Sequence, residues 1–253
     1  MEPLTIALAL LFSFLSSVGF IGDRLATQQL RKQFKQVEQL EVRLEAVPTY
    51  QIAQGRLDRV LVAGRGLYPW EGLRIDTLEV ETDPIALKGL RPKLAKPLQA
   101  GVRLVVTEQD LTQALRSPAV TNRLKNLGIR FLQANEAAQA ARYDLVNPQI
   151  DFQPQGQVSL QAELTEQGYP DKLAIAAQAK LKLVQGKTLQ LENPQLKING
   201  QAAPPVLVDA IAQGISQRLN LQQLEQSKTT ARILTLATEG DRLEITLFLQ
   251  ARP

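Results

Sequence analysis

Between Ile150 and Leu183 apolar and polar residues alternate with a period of two. Ile150 and Phe152 begin the pattern, Val158, Leu160, Ala162 and Leu164 continue it, and Leu173, Ile175, Ala177, Ala179, Leu181 and Leu183 complete it. A helix needs apolar residues three and four apart to make one face. A strand instead sends successive side chains to opposite sides, so this spacing admits strands with one dry face and one wet face. Pro154-Gln155-Gly156 and Gly168-Tyr169-Pro170 separate the runs, and turns that short join antiparallel neighbours into a meander.

The same reading extends in both directions. Leu40 to Val47 alternates and stops at Pro48, and a short turn or helix, Thr49 to Gln54, ends at Gly55. Arg56 to Ala63 is a strand, followed by a loop through Gly64, Gly66, Pro69 and Gly72, in which Leu67-Tyr68-Pro69-Trp70 sits. Leu73 to Thr82 is a strand whose apolar parity changes partway, Leu73 and Ile75 giving way to Leu78 and Val80; a bulge has that effect and bends the sheet. Val102 to Val106 runs into Thr107-Glu108-Gln109-Asp110, where Thr107 is placed to cap a helix bearing Leu111, Ala114 and Leu115. Pro118 to Leu127 reads as a second short helix, and Leu189 to Asn199 as a strand with a shift at Pro194. Pro204 to Leu219 is the best helix of the body, with Val206, Leu207, Ala210, Ile211, Ile215 and Leu219 on one face. Thr230 to Thr238 and Leu243 to Gln250 close the chain as a hairpin. Long strands, several of them bent, with few helices to cover them predict an α+β fold: a strongly curved antiparallel sheet wrapped around amphipathic helices.

The N-terminus has a different character. From Pro3 to Gly22 no residue is charged and Leu, Ile and Phe dominate. As a helix that run would span about 30 Å, one hydrocarbon core. It reads as an anchor, a cleaved signal or a core helix; the anchor is the expectation, because Met1-Glu2-Pro3 lacks the basic start of a secretory signal. Asp23 to Gln39 then reads as a helix leaving the membrane, with Leu25, Leu30, Phe34 and Val37 on one stripe. Arg24, Arg31, Lys32 and Lys35 all follow the apolar run, which by the positive-inside rule places the body in the cytoplasm.

Composition removes much chemistry. The 253 residues include no cysteine and no histidine, so disulfides, thiolate zinc sites, cysteine nucleophiles and Ser-His-Asp triads are excluded. Gly64-Arg65-Gly66 begins like a dinucleotide fingerprint, but Pro69 or Trp70 stands at the third glycine position and no helix follows; a turn needing positive φ explains it better. Glu79, Glu81 and Asp83 share a strand face and read as its solvated side rather than a cation site. Neither a metal nor a cofactor is expected. Tyr68 and Trp70 are read as capping the open end of the sheet or as lying at a membrane interface. From Pro84 to Thr107 the basic residues Lys88, Arg91, Lys93, Lys96 and Arg103 occur among neutral ones. With no interleaved aromatics, no nucleic-acid partner is expected; a solvated loop or an anionic-lipid surface is.

Four stretches carry a resemblance when taken in order: Glu41-Val42-Arg43-Leu44 running to Pro48; Gln54-Gly55-Arg56-Leu57-Asp58-Arg59-Val60; Leu73-Arg74-Ile75-Asp76-Thr77-Leu78-Glu79-Val80; and Val102-Arg103-Leu104-Val105-Val106-Thr107-Glu108-Gln109-Asp110-Leu111. Behind an N-terminal apolar segment they resemble the LmeA-like phospholipid-binding family of bacterial cell-envelope proteins. The resemblance implies a domain over residues 23–253 similar to tubular lipid-binding (BPI-like) proteins, a long helix cradled by a bent sheet around an apolar cavity. It carries no catalytic residue. It also implies an extracytoplasmic domain tethered to the membrane, and that side is expected here although the flanking charges point the other way.

The function expected is therefore non-enzymatic: a membrane-anchored phospholipid binder or lipid carrier. Val206, Leu207, Ala210, Ile211 and Ile215 are candidates for the lipid cavity, and Tyr68, Trp70, Lys88, Arg91, Lys93 and Lys96 for the membrane surface. The competing expectation is a membrane-tethered scaffold with a packed interior that binds a protein partner.

Overall fold

The computed structural model describes residues 23–87, 94–118, 143–166, 172–222, 225 and 228–253. The N-terminal apolar run, the helix read over Pro118 to Leu127 (beyond its first residue), the Gly168-Tyr169-Pro170 turn and the basic residues Lys88, Arg91 and Lys93 lie outside them. Among the described residues no helix is long and apolar enough to cross a membrane.

Strands dominate, and they form two sheets rather than one. Helix α1 (Asp23–Arg31) leads into β1 (Gln36–Glu45), a 3-10 helix (Thr49–Gln54), β2 (Arg56–Leu57), β3 (Arg59–Trp70), β4 (Leu73–Thr82), β5 (Ile85–Ala86), β6 (Leu98–Thr107) and α2 (Glu108–Arg116). A meander follows: β7 (Tyr143–Gln153), β8 (Gln157–Glu166), β9 (Lys172–Val184), β10 (Thr188–Ile198) and β11 (Gln201–Ala202). Helix α3 (Pro205–Arg218) and the hairpin of β12 (Thr229–Glu239) and β13 (Arg242–Ala251) end the chain. The first sheet has the order β1-β3-β4-β6-β13-β12, the second β11-β10-β9-β8-β7, and β2 pairs with β5 in a small ribbon; the pairings are antiparallel. The α+β expectation holds. The chain splits into two sheets because the C-terminal hairpin returns to β6 and completes the first sheet, leaving the meander to pair only with itself.

The inner face of the first sheet follows from strand parity. One hydrogen-bonded row runs Val42, Val62, Val80, Val102, Leu247, Ile233 across all its strands, and every member is buried. Ala26 and Leu30 of α1, with Phe34, Leu57, Ile85, Leu189 and Leu221, belong to the same core. Thr82 lies in the next row, buried, and its hydroxyl accepts the Val60 N–H at 3.0 Å, so burial leaves it satisfied. The outer face is charged. Arg59 bridges Glu45 and Glu81, both at 2.8 Å, and Arg103 bridges Glu79 at 3.3 Å and Glu244 at 2.6 Å. Two carboxylates of the Glu79-Glu81-Asp83 run are thus engaged by arginines, and among the described residues no acidic cluster could hold a metal ion.

Three details differ from the sequence reading. The helix expected to Gln39 stops at Arg31: Phe34 N–H turns back to Arg31 O, Lys35 N–H already bonds Tyr68 O, and pairing with β3 takes over from helical propensity. Leu67-Tyr68-Pro69-Trp70 is the end of β3 and not a loop; the hairpin turn is Glu71-Gly72, and the register slips between Leu67 and Trp70. The parity change in β4 is no bulge of that strand alone. Val37, Leu67 and Ile75 pack into the same core as Leu40, Val62 and Leu78 despite opposite parity. All three strands change face together at Glu38, Gly66 and Asp76, so the register Gln39-Arg65-Thr77 on one side and Val37-Leu67-Ile75 on the other is kept.

Glycine makes this crease feasible. Gly66 has φ +57°, and a Cβ there would overlap the carboxylate of Glu38, which crosses the strand at that point. The positive φ expected of the Gly-Arg-Gly stretch is present, inside a strand. Gly66→Ala should cost about 1–2 kcal/mol for the left-handed backbone alone, lowering the thermal midpoint by about 2–8 °C for a chain of this size; thermal denaturation followed by circular dichroism measures it.

Candidate functional site

The second sheet has one largely apolar face whose inner end packs against the first sheet. Its rows read Ile150-Leu160-Ala177-Leu196 and Ala162-Ile175-Ile198. The shift between Glu192 and Gln195 keeps Leu191 and Leu196 on that face despite their odd separation. Burial along the face is graded. Near the first sheet Phe152 and Leu189 are buried, Leu183 joins the main core, and Ile150, Val158 and Leu181 pack around Val106, Phe152 and Leu243. Farther out Leu160, Leu164, Leu173, Ile175, Leu196 and Ile198 are only half-buried and join neither cluster. The same alternation that gives a sealed core in one sheet leaves, among the described residues, an apolar face only half-buried in the other.

Helix α3 packs beside β10. Pro205 opens it, where a missing N–H costs nothing. Leu207 and Ala210 are half-buried, whereas Ile211 is 44% exposed, Ile215 40% and Val206 80%. Val206 and Ile211 are five residues apart, about 140° around the helix, so the cavity candidates do not all share one face.

A polar brace holds this sheet against the first. Arg74, on β4 beside the crease, donates to Glu38 through Nε at 3.0 Å and NH2 at 3.2 Å. Its NH1 donates to Asp76 at 3.2 Å and to the buried Asp110 of α2 at 3.1 Å. Thr107 caps α2 as expected, accepting the Asp110 N–H at 3.1 Å and donating to its carboxylate at 2.8 Å. Helix α2 in turn grips the outer edge of β7. The Glu108 carboxylate accepts the Phe152 N–H and the Thr112 hydroxyl accepts the Ile150 N–H, the latter at 3.0 Å. At the meander's turns Thr238 of β12 donates to Gln153 O at 3.1 Å and accepts from Gly156 N–H at 3.2 Å. Gly186 O accepts the Ile233 N–H at 2.7 Å.

The surface candidates are scattered. Tyr68 and Trp70 are half-buried at the far end of β3. Lys96 is exposed just before β6, at the end where β3 begins. A strand of that length separates the two by roughly 35 Å. The sequence reading missed the Arg74 brace, whose partners lie 36 residues away on either side. It also missed exposed Val47 and Tyr50, which flank Pro48 in the turn after β1; a short apolar pair interrupted by proline was the available signal.

Charge in the brace is strongly coupled. Hydrogen bonds from Arg74 hold the Glu38 carboxyl below its ordinary 4.5, and Glu38 is the chief cause of the raised Arg74 value. A lowered carboxyl contributes its stability above its unfolded value and loses it as pH falls through the folded one. Wild type should therefore melt higher than Glu38→Gln from neutral pH down to about 4.5, with the gap closing below that. Paired melts across pH 3–7 measure it, and a gap independent of pH would remove Glu38 from the account.

Comparison with known proteins adds one match. The sequence model for LmeA-like phospholipid-binding proteins matches residues 18–248, nearly the whole chain. No curated protein and no solved structure matches.

Proposed function

Because the chain belongs to the LmeA-like phospholipid-binding family, we propose that it is a membrane-anchored phospholipid binder or carrier of the bacterial cell envelope, holding acyl chains along the apolar face of β7–β10. The observation that carries this is the half-buried trough of Leu160, Leu164, Leu173, Ile175, Leu196 and Ile198. Each methylene of a tail laid there is worth about 0.8 kcal/mol, while the buried inner end of the face blocks further travel. The role is binding without catalysis, and the charged clusters described above are consumed in ion pairs that hold strands together.

In this reading residues 1–22 tether the protein and residues 23–253 form one lipid-binding domain, similar in build to tubular lipid-binding proteins, on the extracytoplasmic side. The alternative, a tethered scaffold for a protein partner, draws support from the exposure of Val206, Ile211 and Ile215 on α3.

A chain beginning at Asp23 should fold and stay soluble, because the main core is drawn from Ala26 onward. Mass spectrometry of that protein should recover phospholipid. Ala177 lies midway along the trough, between Leu160 and Leu196. In an open trough Ala177→Trp should abolish lipid recovery with little change in melting temperature. In a filled interior the same change overpacks and costs about 1–3 kcal/mol, and that result, with no lipid in the parent, would favour the scaffold.

A further inference from the structure

We infer that the protein docks on phospholipid bilayers with one defined end, the end of the first sheet at which β1 and β4 finish and β3 and β6 begin. The uncharged sequence 3–22 meets the described chain there: Asp23 accepts the Leu44 N–H at 2.9 Å, Thr27 accepts Val42 N–H at 3.2 Å, and α1 therefore runs antiparallel to β1 with its first turn beside the end of β1. Three large apolar side chains are exposed at this same end: Leu25 in that first turn, Val47 at 81% and Tyr50 at 66%. Val47 is presented on fixed backbone, since its N–H donates to Asp58 at 2.7 Å and its C=O accepts from Gln51 at 2.7 Å. A rigidly held valine exposed to water suits insertion at the boundary between headgroups and acyl chains. Tyr50 has the amphipathic ring favoured at that depth.

Unpaired cations at this end can meet headgroup phosphates. Arg24, Arg56, Lys96 and Arg252 are exposed and enter no ion pair among the described residues. Asp23 and Asp58 are taken up by backbone amides, Glu45 and Glu81 by Arg59, and Lys228 lies against the terminal Pro253 oxygen at 3.0 Å. Asp83 is exposed as well, so positive and negative groups balance at this end, and the four unpaired cations act as individual contacts to headgroup phosphates. Tyr68 and Trp70, at the opposite end of the sheet, face away from the bilayer in this arrangement. The inference builds on the proposed anchor, while the surface involved is separate from the trough of β7–β10.

The absence of cysteine makes a direct test available. Full-length protein carrying Val47→Cys or Tyr50→Cys, labelled with an environment-sensitive fluorophore, is reconstituted in vesicles of phosphatidylcholine and phosphatidylglycerol containing a doxyl-lipid quencher. Glu71→Cys and Asp241→Cys, exposed at the opposite end, are the references. Quenching should be several-fold stronger at positions 47 and 50 than at 71 and 241. Arg56→Gln and Lys96→Gln should each lower the docked-to-undocked ratio about fivefold at low salt, with the effect shrinking as salt rises. Equal quenching at both ends, stronger quenching at 71, or no association with vesicles would overturn the docking end. Phospholipid recovered from the chain beginning at Asp23, alongside unquenched labels at 47 and 50, would overturn this inference and leave the trough intact.

Discussion

One guanidinium, that of Arg74, connects the parts of this molecule. It sits where three strands change face, and it reaches Glu38 on β1 across the intervening β3, Asp76 on its own strand and Asp110 on the helix that follows β6. Its planar fork suits several carboxylates at fixed angles, which a lysine ammonium would not. The dependence runs in both directions from there. Gly66 must lack a side chain for Glu38 to cross to Arg74. Asp110 must be held for α2 to offer Glu108 and Thr112 to β7. The position of β7 is thus set partly by a charge cluster outside the second sheet. Asp110 is the costly member, a buried carboxylate that removal of Arg74 would leave without its cation.

Much of the fold was legible because strand parity is a strong signal. The meander, the break near Pro194 and the Thr107 cap all follow from residues within a few positions of one another. The misreadings share a cause. The segment from Lys32 to Gln39 carries apolar residues compatible with a helix, yet β3 supplies a partner 30 or so residues later, and Leu67 to Trp70 becomes strand because β1 and β4 lie on either side of it. A single strand's parity change cannot reveal whether its neighbours change too, which is why a local bulge was expected where a collective crease exists. Arg74, Glu38 and Asp110 are each ordinary surface types in sequence; only the fold brings them together. For the trough, the apolar face was visible in the alternation, but how much of it would remain uncovered was not, since covering depends on which sheet the C-terminal hairpin joins.

That hairpin choice has a functional side. By completing the first sheet, β12 and β13 seal one apolar face against α1 and the segments around it. The second sheet then has five strands, one 14-residue helix beside β10 and no equivalent second layer among the described residues. Apolar surface left half-covered invites an occupant, and this is the observation on which the proposal of lipid binding rests.

The helices at the sheet borders share a spacing. Helix α1 presents Asp23 and Thr27 to the N–H groups of Leu44 and Val42, and α2 presents Glu108 and Thr112 to those of Phe152 and Ile150. Four residues of helix advance about 6 Å and two residues of strand about 6.6 Å, so an acid and a threonine one turn apart match alternate amides of an extended chain. Two outward amides on each of β1 and β7 are thus taken up by side chains, and on β12 Ile233 N–H bonds the Gly186 turn. An open strand border is a template on which a second chain can add as a further strand. An amide already held by an acid or a threonine of a covering helix is no longer on offer to such a strand, so the same side chains that fasten the helices also narrow what the borders can accept.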